Sequence, residues 1–176
     1  MGLRRDALAA AAVIMSRIER EAGRTGTSVG TVGQLDLEPG GINIVPGRVS
    51  FSLDLRDIDE SVRNDVESCI MHEAALLCEQ RGIELETKTL QRLPPAPCSD
   101  LVRSAVREAC EALGLEPFEL ASGAGHDGMR LTELCPVGMI FVRSKNGVSH
   151  NPAEYSSKEN CAAGAEVLYR MLTLAG

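Results

Sequence analysis

The chain has 176 residues, of which 44% are hydrophobic and 24% charged, so it can form one ordinary domain or two small ones. Aromatic residues make up 3% and tryptophan is absent, which favours a core of Ala, Leu, Ile and Val in helices packed on sheets. The net charge of -7 excludes nucleic acid and anionic membrane as expected partners.

Six cysteines are scattered along the chain without C-x-x-C spacing, which argues against a zinc knuckle or a redox pair. Several fall on apolar positions of predicted helices, as free thiols do in a reducing compartment, and we therefore expect a cytoplasmic location. The first residues resemble a signal peptide only superficially, because charges resume at Arg17 and Glu19. We also expect no membrane-spanning segment.

The first part of the chain predicts the element order helix, strand, strand, helix, strand. Helical spacing of apolar residues predicts the first helix over residues 4 to 23, and the second begins at Asp59 and ends at Gly82. Alternating apolar and polar residues predict three strands: 27–37, 48–56 and 83–91. This is most of a ferredoxin-like α/β sandwich, which normally begins with one more strand.

A proline-rich stretch, LPPAPCSD at residues 93–100, predicts a boundary between a domain 1–92 and a domain 93–176. The sequence of the second domain predicts strands and helices in alternation, which is typical of an α/β fold. In chain order these are a helix over 100–113, the short strand FEL, the glycine-rich loop SGAGHDG, a short helix through Leu134, the buried strand VGMIFV, and a helix from about Ser157 to Leu174.

Two histidines lie in loops of the second domain where imidazole chemistry is useful. His150, in GVSHNPAEY, can bind a metal through one nitrogen, although a solvated loop histidine is the commoner outcome. His126, in SGAGHDG, can donate a hydrogen bond to an anionic substrate; the alternative is a tight turn with Asp127 near a helix N-terminus. The glycines of this loop do not match a phosphate-binding motif.

Asn43 and Arg56 are candidates for binding a carboxylate in the first domain. The planar fork of Arg56 fits a carboxylate, and Asn43 adds a donor and an acceptor. Loop capping by Asn43 and a surface ion pair of Arg56 with Asp57 or Asp59 are the alternatives. His72 lies off the apolar stripe of its helix, and we expect it to face solvent.

Three ordered motifs together resemble a known family. They are GTVGQLDLEPGGINIVPGRVSFSLDLRDID, then SGAGHDG, then MIFVRSKNGVSHNPAEYS. In order and spacing they resemble the C-terminal half of the N-carbamoyl-L-amino-acid hydrolase, allantoate amidohydrolase and β-ureidopropionase group of the M20 metallopeptidase-like family. The resemblance implies an α+β chain: a ferredoxin-like lid (dimerisation) domain lacking its first strand, then the C-terminal segment of an α/β zinc-peptidase-like catalytic domain.

The resemblance also implies roles for single residues. His150 matches a metal ligand, His126 a substrate-contacting histidine, and Asn43 with Arg56 the lid residues that hold the substrate carboxylate. It implies a hydrolase that cleaves the carbamoyl or ureido C–N bond of N-carbamoyl-L-amino acids or allantoate, with two divalent ions (Zn, Mn, Co or Ni) and a homodimer formed through the lid. Two departures are GHDG and FVRS, where the family pattern has GHDA and FVPS.

The remaining metal ligands and the catalytic base of the family do not match any residue of this sequence, since they lie upstream of the region that it resembles. One histidine cannot hold two metals. We therefore expect this chain to be inactive alone. The alternatives are a catalytically silent, dimerising fragment and a small-molecule-binding module of ferredoxin-like fold.

Overall fold

The computed structural model describes residues 3–174. They form two compact units, Met1–Pro95 and Ala96–Gly176. Within the described range no helix is both long and apolar enough to cross a bilayer.

Two capped helices frame the first unit, as predicted. Helix α1 (Ala7–Thr25) begins at Asp6, whose Oδ1 accepts the Ala9 N–H at 3.0 Å. Helix α2 (Glu60–Arg81) begins at Asp59, which accepts from two backbone N–H groups, and it ends at Gly82 with φ 63°. Side-chain acceptors at the N-terminus and a left-handed glycine at the C-terminus satisfy backbone groups that the helix itself leaves unpaired.

The first two predicted strands each form two short strands. The structure has β1 (Val29–Thr31), β2 (Leu35–Glu38), β3 (Arg48–Phe51) and β4 (Asp54–Arg56). β1 pairs antiparallel with β4 and β2 with β3, as two ladders along one hairpin. The ladders are interrupted where the three residues 32–34 face the two residues 52–53, as in a β-bulge. At this place the Ser52 hydroxyl accepts the Gln34 N–H at 3.0 Å, and the Ser52 N–H donates to the Gln34 carbonyl at 3.2 Å.

The core of the first unit lies where the two helices meet the hairpin. Ile14 and Ile18 of α1 pack with Val66 and Ile70 of α2, all at most 5% exposed. Partly buried residues of the hairpin and its flanks complete this core: Val32, Phe51, Leu53, Leu55 and Ile83. Burying each large aliphatic side chain contributes about 1.5 to 3 kcal/mol, so these contacts hold the helices on the hairpin.

The prediction of a strand over residues 83–91 was wrong, because this segment has no strand partner in the part of the chain that the structure describes. These residues form no β-ladder in the structure, although their first residue, Ile83, packs on the core. A strand needs a neighbour that takes its backbone hydrogen bonds, and no part of the first unit within the described residues supplies one. His72 is exposed on α2, as predicted.

The second unit consists of helices joined by extended segments. Its helices are α3 (Asp100–Ala112), α4 (Gly128–Leu131) and α5 (Lys158–Leu174), with a 3-10 turn at Lys145–Gly147. α3 packs against α5, where Ala109 and Val167 are buried. Arg103 and Arg107 both bind the Glu119 carboxylate, which holds the segment after α3 beside that helix.

The predicted strands of this unit, FEL and VGMIFV, were wrong as strands. Neither joins a ladder, and VGMIFV is not buried: Phe141 is 50% and Val142 42% exposed. Apolar alternation identified segments with strand-like sequence, but residues 96–174 offer them no neighbouring strand. The prediction of a mixed helix and strand chain is confirmed by the first unit.

Candidate functional site

Asn43 lies in the connection at the closed end of the hairpin. This connection leaves β2 at Glu38 and returns to β3 at Arg48, and it is closed by the Gly47 N–H donating to the Glu38 carbonyl at 2.9 Å. Asn43 itself is exposed at the tip. Its amide is therefore presented to solvent, as a ligand-binding group on a loop requires.

Arg56 ends β4 at the opposite, open end of the hairpin, across from Val29. Its Nε and Nη2 donate to the two carboxylate oxygens of Asp54 at 2.8 and 2.6 Å. This bidentate hydrogen bond lowers the pKa of Asp54 and raises that of Arg56. The guanidinium is therefore fixed in orientation on the surface of the strand, since a two-point contact restricts rotation of its plane.

The sequence suggested a different acid for Arg56. Asp57 instead accepts from Thr27 Oγ1 at 2.9 Å and Ser28 Oγ at 2.5 Å. Partial burial favours the neutral carboxyl of Asp57, but hydrogen bonds from Ser28 and from backbone N–H groups outweigh it and lower the pKa. Asp59 caps α2. The ion pair described for Arg56 is thus with Asp54, while Asp57 and Asp59 hold the loop before α2 and its first turn.

Strand register does not bring Asn43 and Arg56 together. From Arg48 to Arg56 the extended chain spans about 26 Å at about 3.3 Å per residue, with the loop of Asn43 beyond the Arg48 end. A joint carboxylate clamp made by these two residues therefore stays a prediction.

His126 lies half-buried before α4, where its carbonyl accepts the Met129 N–H at 3.0 Å. The imidazole occupies space next to Gly128: a Cβ at that position would lie 2.7 Å from His126 Nδ1 and 3.4 Å from Val137 Cγ1. Glycine at position 128 thus permits this position of the ring, where the family pattern has alanine. Asp127 stands at the N-cap position of α4 without a side-chain cap hydrogen bond, so the alternative of a tight turn with Asp127 near a helix N-terminus agrees with the structure in position.

His150 lies in an exposed turn with an unusual backbone conformation. Its φ is 54°, in the left-handed region, which costs about 1 to 2 kcal/mol for a residue with a Cβ. The Glu154 carboxylate accepts its backbone N–H at 2.9 Å and helps to hold the turn. Strained, exposed residues of this kind cluster at functional sites. The imidazole is on the surface, where it can reach a ligand.

A cavity of about 330 Å³ lies beside this turn in the second unit. The residues that line it include Arg143, Lys145, Tyr155 and Asn160. Asn160 Nδ2 donates to the Arg143 carbonyl at 3.3 Å, and the Lys145 N–H donates to the Tyr155 carbonyl at 2.8 Å. The cavity is thus lined by residues of the two segments that flank His150.

One further cluster was not predicted from the sequence. Glu21, Cys69 and Glu73 bring potential metal-binding atoms within 4.8 Å of one another at the contact of α1 and α2. Arg20 and Arg24 donate to Glu21 at 2.9 and 3.1 Å, and Arg20 also binds Glu73 at 3.0 Å. Hydrogen bonds from these arginines lower the pKa of Glu21, while burial, and then the charge of Glu21, raise that of Cys69.

This cluster is an ion-pair network between the helices, because the guanidinium groups of Arg17, Arg20 and Arg24 already bind the carboxylates of Glu21 and Glu73. The Cys69 thiol completes it by donating to Glu21 at 3.6 Å. A cation at this place would have to displace these three guanidinium groups. The Arg-Glu spacing on α1 is visible in the sequence, but the partner on α2 depends on how the helices pack.

Comparisons with known proteins agree with the motifs. The model of peptidase family M20/M25/M40 matches residues 4–174. N-carbamoyl-L-amino acid amidohydrolase of Geobacillus stearothermophilus is 56% identical over 169 residues, which are 96% of this chain and 41% of that protein. Allantoate amidohydrolase of Escherichia coli K12 is 32% identical, covering 98% of this chain and 42% of that protein.

A solved structure supports the fold. An amidase of the hydantoinase/carbamoylase family from Burkholderia vietnamiensis has a TM-score of 0.88 and 30% identity, over 97% of this chain and 42% of that one. The chain spans about two fifths of the length of each of these three proteins. The sequence match extends over nearly the whole chain, and the fold agrees with it. The chain therefore belongs to peptidase family M20/M25/M40.

Proposed function

We propose that this chain is part of a metal-dependent amidohydrolase that cleaves the carbamoyl or ureido C–N bond of N-carbamoyl-L-amino acids or allantoate. The observation that carries the proposal is the 56% identity to the Geobacillus N-carbamoyl-L-amino acid amidohydrolase. Such substrates combine a carboxylate with a ureido group, and the candidate residues provide a fixed guanidinium, an exposed amide and two imidazoles that suit both.

Arg56 is proposed to bind the substrate carboxylate. Asp54 holds its guanidinium by two hydrogen bonds and so reduces the side-chain entropy that binding would otherwise cost. The Asp54 carboxylate also repels the substrate carboxylate. Asp54 therefore orients the guanidinium of Arg56 but weakens its electrostatic attraction for the substrate. Asn43 would contribute an amide contact from the hairpin loop. His126 would donate a hydrogen bond to the substrate from beside Gly128.

His150 is proposed as a metal ligand, but the described residues do not by themselves fit a two-metal site. The one group of three potential ligand residues found in residues 3–174 is Glu21, Cys69 and Glu73, and it does not include His150. A single imidazole with carboxylate neighbours such as Glu154 leaves most positions of two divalent ions unfilled. No step of hydrolysis is therefore assigned to this chain alone.

The test is a chimera in which these 176 residues replace the matched region of the Geobacillus relative. Hydrolysis of N-carbamoyl amino acids and of allantoate is measured with added Mn, Co, Ni or Zn. We expect an active chimera. His150→Ala should lower kcat/KM at least about a hundredfold, and Arg56→Ala should mainly raise KM. His72→Ala, an exposed histidine on α2, is the matched control and should leave both constants unchanged.

An active chimera that keeps its activity with both His150→Ala and Arg56→Ala would refute the site assignments. The competing hypothesis is a catalytically silent, dimerising fragment, and metal titration of the 176-residue chain by calorimetry addresses it. Binding of two ions per chain would refute that alternative. Weak binding of one ion, lost in His150→Ala and kept in His72→Ala, would support a partial site. Size-exclusion chromatography with light scattering tests the predicted lid homodimer.

A further inference from the structure

The ladder of β1 and β4 has one face packed on the first unit's core and one face open to solvent. Gly30 lies on the packed face, since a Cβ there would be 3.1 Å from both Ala22 Cβ and Ile18 Cγ2 of α1. Its cross-strand partner, Leu55, packs against the core. Successive residues of a strand point to opposite faces, so the neighbours of Gly30 and Leu55 lie on the open face.

Four exposed residues make up this open face, which we call the Arg56 face: Val29, Thr31, Asp54 and Arg56. The register places Val29 opposite Arg56 and Thr31 opposite Asp54. Opposite residues of an antiparallel ladder have Cβ atoms about 4.5 to 5.5 Å apart, so Val29 and Thr31 are immediate neighbours of the ion pair. Val29 is 50% exposed and is the purely apolar member of the four.

The guanidinium of Arg56 lies over this face and not beyond the end of β4. Its Nε and Nη2 contact the Asp54 carboxylate at 2.8 and 2.6 Å, so the side chain runs back along the strand toward Asp54. This direction keeps the guanidinium beside the two residues of β1 that complete the face. A carboxylate bound by Arg56 is therefore within reach of the side chains of Val29 and Thr31.

The carbon next to the substrate carboxylate determines which chemical group meets this face. In an N-carbamoyl-L-amino acid that carbon carries the amino-acid side chain, and in allantoate it carries a second ureido group. It is one bond of about 1.5 Å from the carboxylate carbon, so its substituent stays close to the guanidinium. The methyl groups of Val29 favour an aliphatic substituent, whereas a ureido group beside them would lose hydrogen bonds to water. The charge of Asp54 repels an acidic substituent.

We propose that Val29 is a specificity-determining residue that contacts the substituent next to the substrate carboxylate. Together with Asp54, it favours aliphatic substituents over ureido and acidic ones. The substrate class that follows is N-carbamoyl derivatives of aliphatic L-amino acids, ahead of allantoate and of N-carbamoyl-L-aspartate. This inference rests on the proposed function, and within it on the binding of the carboxylate by Arg56.

The test measures kcat/KM of the chimera for four substrates: N-carbamoyl-L-valine, N-carbamoylglycine, N-carbamoyl-L-aspartate and allantoate. Val29→Thr keeps the branched shape and the strand preference of valine and replaces one methyl group by a hydroxyl. We expect it to lower the ratio of kcat/KM for the valine derivative to that for the glycine derivative about threefold or more, since one buried methyl contact is lost. Val29→Ala, which removes two methyl groups, should lower this ratio at least as much.

Leu35→Thr is the matched control on the same hairpin. Leu35 is 46% exposed on β2 and pairs with Phe51 in the other ladder, away from the Arg56 face. This variant should leave the ratio unchanged. N-carbamoylglycine is the internal control, because it has no side chain to contact Val29, and its kcat/KM should stay within about twofold of the unmodified chimera in Val29→Thr. Circular dichroism verifies that each variant is folded.

Three outcomes overturn this inference and leave the proposed function standing. The first is a ratio that neither Val29→Thr nor Val29→Ala changes. The second is an equal fall in Val29→Thr and Leu35→Thr, which would report a general loosening of the hairpin. The third is an unmodified chimera that prefers allantoate or N-carbamoyl-L-aspartate to N-carbamoyl-L-valine. A chimera that hydrolyses none of the four substrates would instead overturn the proposed function, and this inference with it.

Discussion

The two units differ in how much apolar surface each buries by itself. In Met1–Pro95 the helices and the hairpin enclose a continuous core, with Ile18 at 2% and Val66 at 1% exposure. In Ala96–Gly176 the buried apolar side chains among the described residues are Ala109 and Val167. Large side chains there stay outside the core, as shown by Phe118 at 83% and Leu134 at 81%.

The difference follows from which backbone partners each unit contains. A hairpin satisfies its own hydrogen bonds, and two helices can then close one of its faces. Single extended runs such as VGMIFV have no such partner within residues 96–174, so their apolar side chains remain exposed. The first unit should therefore carry most of the stability of the chain.

The largest expected effect is on the free energy of unfolding, when one apolar side chain is truncated in each unit. Ile70→Ala removes a side chain that is 2% exposed in the core, and we expect it to lower the free energy of unfolding by about 2 to 5 kcal/mol. Leu172→Ala on α5, 62% exposed, should change it by less than about 0.5 kcal/mol. Urea unfolding followed by circular dichroism measures both. Similar losses would show that the second unit packs as tightly as the first.

A smaller loss of stability is expected when the N-cap residue of a helix is changed in each unit. Asp59 accepts the Ser61 N–H at 2.8 Å at the start of α2, so Asp59→Ala should destabilise the chain by about 1 kcal/mol. Ser99 stands at the same position of α3 but forms no side-chain cap hydrogen bond. Ser99→Ala should therefore be nearly neutral in the same urea experiment. A loss at Ser99 as large as that at Asp59 would contradict the described cap geometry.

The stability of the first unit should depend on pH through Glu21, which lies at the contact of α1 and α2, more than through an exposed carboxylate on its surface. Arg20 and Arg24 lower the pKa of Glu21 below its ordinary value of about 4.3. A lowered pKa contributes stability that is present above the ordinary value and is lost as pH falls through the folded value. The stability difference between wild type and Glu21→Gln should therefore shrink as pH falls below about 4.3.

Glu19→Gln is the control for this measurement, because Glu19 is exposed on α1 and makes no ion pair among the described residues. Its difference from wild type gives the baseline for removing an exposed carboxylate from α1, and the trend of Glu21→Gln is compared with that baseline. Thermal unfolding at a series of pH values measures both variants. A constant difference for Glu21→Gln would show that the arginines do not perturb this carboxylate.

Much of the first unit could be predicted because its signals are local. Asp59 and Gly82 mark the ends of α2 within one residue, and Val66, Ile70 and Ala74 lie on the buried stripe that their spacing predicts. The strand over residues 83–91 failed because alternation reports the preference of a segment and not the presence of a neighbour. The same reason explains VGMIFV in the second unit.

The candidate site was predictable in composition and not in geometry. The motifs identified Asn43, Arg56, His126 and His150, and their roles stay predictions. The pairing of Arg56 with Asp54 could have been suspected from the two-residue spacing on one strand, since such side chains share a face. The left-handed backbone of His150 has no clear sequence signal, because it depends on how the whole turn closes.

The smallest expected effect concerns the ring of His126 in the second unit. A Cβ in Gly128→Ala would lie 2.7 Å from Nδ1 of that ring, so the imidazole must rotate away. Gly123→Ala is the matched control in the same loop, because a Cβ there meets nothing within 4 Å. NMR of the imidazole nitrogens should show a shift for His126 in Gly128→Ala and none in Gly123→Ala, with unfolding free energies within about 0.5 kcal/mol of wild type. Unchanged imidazole signals in both variants would mean that the ring does not rest against Gly128, and that glycine at this position has no part in orienting His126.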